Sequence, residues 1–187
     1  MKMNEIILVG AFLETIELCE EAGYHIVGIV DNNNSSEYHG IRIIGTDSDI
    51  DVIAKDFVEC GVVITPDKPF IREHLSNVFA SYGFSFPTII SPYARVSRSA
   101  FIDEGCIIQS GVNISSNAKI GRNVKINFNV NIMHDVNIGD HSVIAPNSVL
   151  LGRSEICQSC YIGANSTIMS GAIVKDCSIL SPCSIYQ

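Results

Sequence analysis

Residues 108–150 read IQSGVNISSNAKIGRNVKINFNVNIMHDVNIGDHSVIAPNSVL, and an aliphatic side chain stands at every sixth position of that stretch. The register extends in both directions without a miss: Ile90, Val96, Ile102, Ile108, Ile114, Ile120, Ile126, Ile132, Ile138, Ile144, Leu150, Ile156, Ile162, Ile168, Val174 and Leu180. Four residues after each of these comes Ala, Ser, Cys or Val, from Ala94 and Ala100 to Ser178 and Ser184. Were about a third of residues Ile, Val or Leu, the aliphatic rule alone would hold by chance on the order of once in 10⁷ trials. A period of six suits neither an α-helix nor a long alternating strand. It suits a short strand followed by a tight corner, repeated. Three such sides close a triangular prism, a parallel β-helix with rungs about 4.8 Å apart. The aliphatic residue then fills the interior from the middle of a side, and the small residue fits the crowded corner. Sixteen hexads make a little over five coils, with no loop inserted anywhere.

The chain before the repeat has a different texture. Residues 5–11 read as a buried strand, 14–22 as a helix with Leu18 and Cys19 inward, and 24–30 as a second strand ending at Asp31. A polar loop over 32–36, a helix over 50–57, a third strand over 61–65 and a helix over 70–82 complete the pattern. Alternating strands and helices predict a small parallel sheet with helices on its faces, so residues 1–84 are expected to form a Rossmann-like α/β unit and 85–187 the β-helix. Parallel sheets of this kind bind ligands beyond the carboxyl ends of their strands, here around 10–12, 31–33 and 65–68.

Composition limits the partners. The chain has 187 residues, 47% apolar and 17% charged, enough to bury a core. Twelve basic against twenty acidic residues give a net charge of −8, which denies nucleic acid the broad electropositive surface it needs. The longest early apolar run, 6–13, is less than half of the roughly 20 residues that span a bilayer, so neither a signal peptide nor a membrane anchor is expected. Seven scattered cysteines fit reduced thiols in a cytoplasmic protein better than a disulfide framework. Cys157 and Cys160 have metal-site spacing, but Cys160 falls on an inward small position, so packing is the expected role and no metal is called for.

Residues flanking each aliphatic position point outward. Sorted with a period of 18, one face presents Met133, Val149, Leu151 and Met169, and the next presents Ile107, Val143, Tyr161 and Ile179. Two apolar faces meeting at an edge are what a cyclic trimer would bury, so a homotrimer is expected. His134 and Asp135 occupy the corner after Ile132 and cannot be core residues in this register. Asp135 can hold one ring nitrogen protonated and leave the other as a proton acceptor, which suits a general base. One coil up, at the same corner, are Gly152 and Arg153, and above them Ser170 and Gly171. Missing side chains above the imidazole leave a slot for a narrow substrate, with Arg153 or Lys175 to meet its phosphates.

Ile132-Met133-His134-Asp135-Val136-Asn137-Ile138-Gly139-Asp140, followed by Ile144-Ala145-Pro146 and Leu150-Leu151-Gly152, resembles the catalytic stretch of hexapeptide-repeat sugar acetyltransferases, of the sialic acid O-acetyltransferase and UDP-amino-sugar N-acetyltransferase type. Phe86-Pro87-Thr88-Ile89-Ile90-Ser91-Pro92-Tyr93-Ala94 resembles that family's approach to its β-helix. The resemblance implies a left-handed β-helix and acetyl-CoA as co-substrate in the groove between neighbouring subunits. It further implies that His134 is the base acting on an amine or hydroxyl of a small sugar or nucleotide-sugar acceptor, and that Asp135 raises the basicity of His134. Val143, Gly152, Arg153, Ala164 and Lys175 are then expected beside the coenzyme, and Gly10, Phe12, Leu13, Asp31, Asn32 and Arg72 beside the acceptor. The sequence departs from the family in places. Gly10-Ala11 is followed by Phe12-Leu13-Glu14-Thr15 instead of a glycine-rich loop with a histidine, and Val143 stands where a second histidine is common. The alternative reading is a non-catalytic β-helix scaffold or binding protein with a degenerate acceptor site.

Overall fold

Ile6 to Val9 are four consecutive aliphatic residues, and all are buried, as a strand covered on both faces requires. They form the body of β1 (Glu5–Val9), which leads through α1 (Leu13–Glu21) to β2 (His25–Val30). Next come β3 (Glu37–Tyr38), β4 (Ile41–Gly45), α2 (Ile50–Phe57), β5 (Gly61–Ile64) and α3 (Pro69–Ser81). The computed structural model describes residues 4–33 and 35–187; of the loop expected at 32–36, residue 34 lies outside the described residues. The sheet order is β3-β4-β2-β1-β5, parallel except for β3. The expected strands and helices are present, with a β3–β4 hairpin added. His39 and Gly40, with φ of 47° and 78°, make the tight turn of that hairpin, and the right-handed twist of paired strands favours such positive-φ turns. Pro69 opens α3 at a position where its missing N–H costs nothing.

From β6 (Ile89–Ile90) to β22 (Ile185–Tyr186) the chain makes seventeen two-residue strands in three parallel sheets of six, six and five. These are the walls of a left-handed parallel β-helix. The first wall stacks Ile89–Ile90, Ile107–Ile108, Lys125–Ile126, Val143–Ile144, Tyr161–Ile162 and Ile179–Leu180. The second runs from Arg95–Val96 through Asn131–Ile132 and Val149–Leu150 to Ile185–Tyr186, and the third from Phe101–Ile102 to Ile173–Val174. The inward residues form one continuous apolar column from Cys106 to Val174. Tyr186, one hexad beyond Leu180, takes the next inward position and donates its hydroxyl to Ile173 O at 3.2 Å across the end of the prism.

From Gly105 to Cys183 the corners turn on a residue in left-handed backbone, three after each aliphatic one. Asn117, Asn123, Asn129, Asp135, His141, Asn147, Arg153, Ser159 and Asn165 all have φ between 53° and 63°, and Gly105, Gly111 and Gly171 have φ near 74°. Asn, Asp and Gly tolerate this region at least cost, which accounts for their recurrence there.

The α/β unit sits on the first wall. Ile6, Leu8, Ile16, Leu18 and Val63 pack in one cluster with Ile89 and Ile107 of the wall. Arg72 of α3 is fully buried and donates to Asn123 O at 3.0 Å, Ile64 O at 2.6 Å and Pro66 O at 3.0 Å. Lys125 is also fully buried: its ammonium donates to Thr65 O at 3.1 Å, pairs with Asp67 at 2.6 Å and lies 4.7 Å from the centre of the Phe12 ring. Glu73 and Ser76 of α3 meet Ser159 and His141 at the corner after the third wall. The face read in sequence as Ile107, Val143, Tyr161 and Ile179 is therefore covered only in part: Ile107 and Val143 are fully buried, Tyr161 is half-buried and Ile179 is 80% exposed, while Met133 and Met169 of the second wall are 40% and 38% exposed.

Candidate functional site

His134 and Asp135 follow Ile132 at the corner between the second and third walls. His134 Nδ1 lies 2.8 Å from Asp135 Oδ2, and Asn117 Nδ2, one coil below, donates to Asp135 Oδ1 at 3.1 Å. These two bonds, helped by the charge of Arg153, hold the Asp135 carboxyl below the usual carboxylate range. An ionised carboxylate has no proton to give, so the proton in the shared bond belongs to Nδ1, and Nε2 keeps its lone pair. About half of each side chain is open to solvent, so a substrate can approach.

Directly above is Gly152. A Cβ placed there would come within 2.7 Å of His134 Cε1 and Nε2 and 3.2 Å of Cδ2, so the imidazole edge occupies the space a side chain would need. The φ of Gly152 is not in the left-handed region, and close approach alone calls for glycine here. At each corner the N–H two residues past the aliphatic position points away from the ladder, which is why Pro92, Pro146 and Pro182 are tolerated at that place. At two corners a carboxylate from the coil above fills the gap: Arg122 N donates to Asp140 at 2.8 Å and Gln158 N to Asp176 at 3.0 Å. Above Gly152 stands Ser170, whose hydroxyl donates to Gly152 O at 2.6 Å and leaves the Gly152 N–H for an incoming oxygen. Below this corner a trough of about 700 Å³ runs along the second wall, lined by Arg95, Arg98, Asn113, Asn131 and Met133 among others. Arg95 and Arg98 stand two coils below Asn131 and His134, a placement that the 18-residue step also gives.

The residues expected at the coenzyme do not all meet. Gly152 and Arg153 share the corner of His134. Ala164 belongs to the corner after the first wall and Lys175 to the corner after the third, because neither lies a multiple of 18 residues from His134. Val143 is fully buried within this chain and has no surface to offer a ligand. On the α/β unit, Gly10, Asp31 and Asn32 line a cavity of about 360 Å³ with Val9, Val30, Asp47, Pro66, Ile71, His74 and Leu75. Asp31 anchors the strand ends there, accepting from Ala11 N at 2.7 Å and Asn33 N at 2.9 Å. Gly10 is required by contact: a Cβ on it would strike Thr65 Oγ1 at 2.2 Å, and its φ is 101°. Phe12 and Leu13 lead into α1 and do not line this cavity. Arg72 is corrected outright. Its guanidinium, with pKa lowered to about 10 by burial, donates through Nε and Nη1 to three carbonyls, and full burial closes it to any acceptor.

Cys160 is buried in the prism core with its thiol pushed up to about 11 by burial, a packing residue as its register predicts. Among the described residues no cluster of three or more His, Cys, Asp or Glu is arranged to hold a metal ion, and no helix is long and apolar enough to cross a membrane.

Set against known proteins, residues 117–152 match the bacterial transferase hexapeptide (six repeats) family, so the segment bearing His134 and Gly152 carries that repeat. Among solved structures, the fold is shared with the acetyltransferase domain of PglB from Neisseria gonorrhoeae FA1090 in complex with acetyl coenzyme A, at 22% identity and a TM-score of 0.83, over 97% of this chain and 92% of that one. PerB from Caulobacter crescentus, in complex with CoA and GDP-perosamine, matches at 22% identity and a TM-score of 0.83 over 99% and 92% of the two chains. WeeI from Acinetobacter baumannii AYE matches at 22% and 0.78 over 97% and 94%. No curated protein is detectably similar in sequence.

Proposed function

We propose that this protein is an acetyl-CoA-dependent acetyltransferase acting on an amine or hydroxyl of a sugar, in the first instance a nucleotide-linked amino sugar. The observation that carries the reading is the corner itself: an imidazole whose Nδ1 is tied to a carboxylate and whose Nε2 edge lies against a bare glycine. His134 Nε2 takes the proton of the acceptor's amine or hydroxyl as it attacks the acetyl carbonyl. Asp135 steadies the imidazolium that results, and as the tetrahedral intermediate collapses the C–S bond breaks and the imidazolium returns the proton to the departing CoA sulfur. The Gly152 N–H, unpaired and beside the ring, is positioned for the negative charge that develops on the carbonyl oxygen. Acetyl-CoA supplies the activated acetyl group, and Arg153 offers a cation at this corner for its phosphates. The PglB and PerB structures, with acetyl-CoA or CoA bound on the same fold, support that choice of co-substrate.

In this division of labour residues 1–84 recognise the acceptor, through the cavity at Gly10, Asp31 and Asn32, and residues 85–187 carry the transfer. That cavity belongs to a unit seated on the first wall, while His134 stands at the corner of the other two. An acceptor held by one chain would therefore reach the base of a neighbour, and this supports a cyclic homotrimer closed on the exposed Met133 and Met169 face. None of the seven cysteines forms a disulfide, which favours a reducing, cytoplasmic setting.

The test is thiol release from acetyl-CoA with a panel of free and nucleotide-linked amino sugars, GDP-perosamine included. The reading expects turnover with at least one acceptor and a loss of about 10³-fold in His134→Ala. No release with any acceptor, or none of it dependent on His134, would leave the scaffold reading in its place.

A further inference from the structure

Asn117 and Asp135 stack at one corner, a coil apart, both in left-handed backbone with φ of 59° and 58°. Backbone preference alone explains an asparagine at such a place, and the same turn position holds Asn at 123, 129, 147 and 165. It does not explain where this amide is aimed. Asn117 Nδ2 donates to Asp135 Oδ1 at 3.1 Å, while Asp135 Oδ2 meets His134 Nδ1 at 2.8 Å. The carboxylate is thus gripped at both oxygens. Asn117 is fixed from beneath in turn, its backbone N–H donating to Ser99 Oγ at 3.1 Å. The charged groups acting on Asp135 are His134 at its own corner and Arg153 from the coil above.

We propose that Asn117 is a positioning residue for the His134 base: its grip on Asp135 Oδ1 sets the orientation in which the other oxygen keeps the imidazole proton on Nδ1 and the lone pair on Nε2. The catalytic consequence rests on the acetyl-transfer reading; the grip itself does not. The two are separable by experiment on the full-length chain. Asn117→Gly keeps the left-handed turn and removes the amide, whereas Asn117→Asp keeps the turn and replaces the donor with a second negative charge.

Titration of the Asp135 13Cγ resonance and the 15N shifts of His134 read the grip without any ligand. In Asn117→Gly the Asp135 titration is expected to move to higher pH and the share of neutral His134 carrying its proton on Nδ1 to fall, with the melting temperature little changed. Asn117→Asp should move the Asp135 titration further in the same direction. In the thiol-release assay Asn117→Gly is expected to lower kcat about fivefold with KM for acetyl-CoA unchanged, as loss of one hydrogen bond to a positioned charge implies. It should add nothing to His134→Ala in the double variant. An Asp135 titration and His134 tautomer identical to wild type would overturn the grip. A lost grip with full kcat would overturn the positioning role. If the wild type turns over no acceptor, the acetyl-transfer reading and the catalytic role fall together, and the resonances still decide the grip.

Discussion

Replacing Gly152 by alanine is the sharpest perturbation of the site, because the geometry separates its effect on catalysis from its effect on folding. The new methyl carbon would lie 2.7 Å from both Cε1 and Nε2 of His134. Carbon contacts settle near 3.5 Å, so the imidazole must retreat by about 0.8 Å or swing about its χ angles. Its bond to Asp135 is 2.8 Å long, and a retreat of that size in the wrong direction stretches it to the limit of a hydrogen bond. A misplacement near 1 Å costs on the order of 10²-fold in rate. The backbone at Gly152 is outside the left-handed region, so alanine brings no conformational strain, and stability should change by less than about 1 kcal/mol. Gly171, one coil higher at the same corner, makes the control. Nothing lies within 4 Å of a Cβ there, but its φ is 74°; alanine should cost roughly 1–2 kcal/mol of stability and little activity. The assays are thiol release for kcat/KM and thermal melting followed by circular dichroism. Wild-type turnover in Gly152→Ala would refute the placement of the base, and a collapse of its melting temperature would show that Gly152 serves the fold and not the site.

Other consequences concern the junction between the α/β unit and the prism. Arg72→Met should lower stability in urea by several kcal/mol, since the carbonyls of Ile64, Pro66 and Asn123 lose their buried donor, each such loss being worth about 1–3 kcal/mol. Asp67→Ala removes the counter-charge of the buried Lys125 and should cost about 2 kcal/mol, and Lys125→Met should cost about 1–3 kcal/mol because the buried Thr65 carbonyl loses its donor; an unchanged stability in both variants would contradict the junction's electrostatics. Burial depresses the pKa of His141, against the opposing pull of Asp140 and Glu73. The unfolded chain then binds the proton more readily, so stability is complete above the ordinary histidine value near 6.5 and is lost as pH falls through the depressed one. His141→Asn, which suits φ of 62°, should flatten the fall in melting temperature between about pH 6.5 and 5.

How much of this was legible in the sequence follows from which constraints act locally. The prism was legible because each hexad answers to the same demand, an aliphatic residue inward and a small one at the bend, and sixteen repetitions leave one reading. His134, Asp135 and Gly152 came with it, since the 18-residue step is arithmetic. The same arithmetic sets Ala164 and Lys175 on other corners, so their grouping with His134 owed nothing to the spacing. The covering of Val143 and the burial of Arg72 and Lys125 were not legible at all. Where the α/β unit docks depends on surfaces more than 50 residues apart, such as Thr65 against Lys125, and no local pattern encodes them. The β3–β4 hairpin escaped notice for a humbler reason: β3 is two residues long, and His39-Gly40 is a weaker turn signal than Asn-Gly.

The corner at His134 also shows how a uniform scaffold acquires one reactive place. Most corners carry an N–H at the same point, proline replacing it at 92, 146 and 182, and two of these N–H groups are closed by Asp140 and Asp176 from the coil above. Those carboxylates show that the point attracts an anionic oxygen at about 3 Å. At the second corner the residue above is Ser170, which turns its hydroxyl to the Gly152 carbonyl and supplies no negative charge. The seat is left to whatever approaches from outside, and the group beside it is an imidazole with a carboxylate behind it. Placing an aspartate at 170 would reproduce the closure found at the other corners. Ser170→Asp should therefore fold normally, occupy the Gly152 N–H and abolish turnover. Full activity in that variant would mean that the Gly152 N–H takes no part in the reaction, and the developing charge would have to be met by another group.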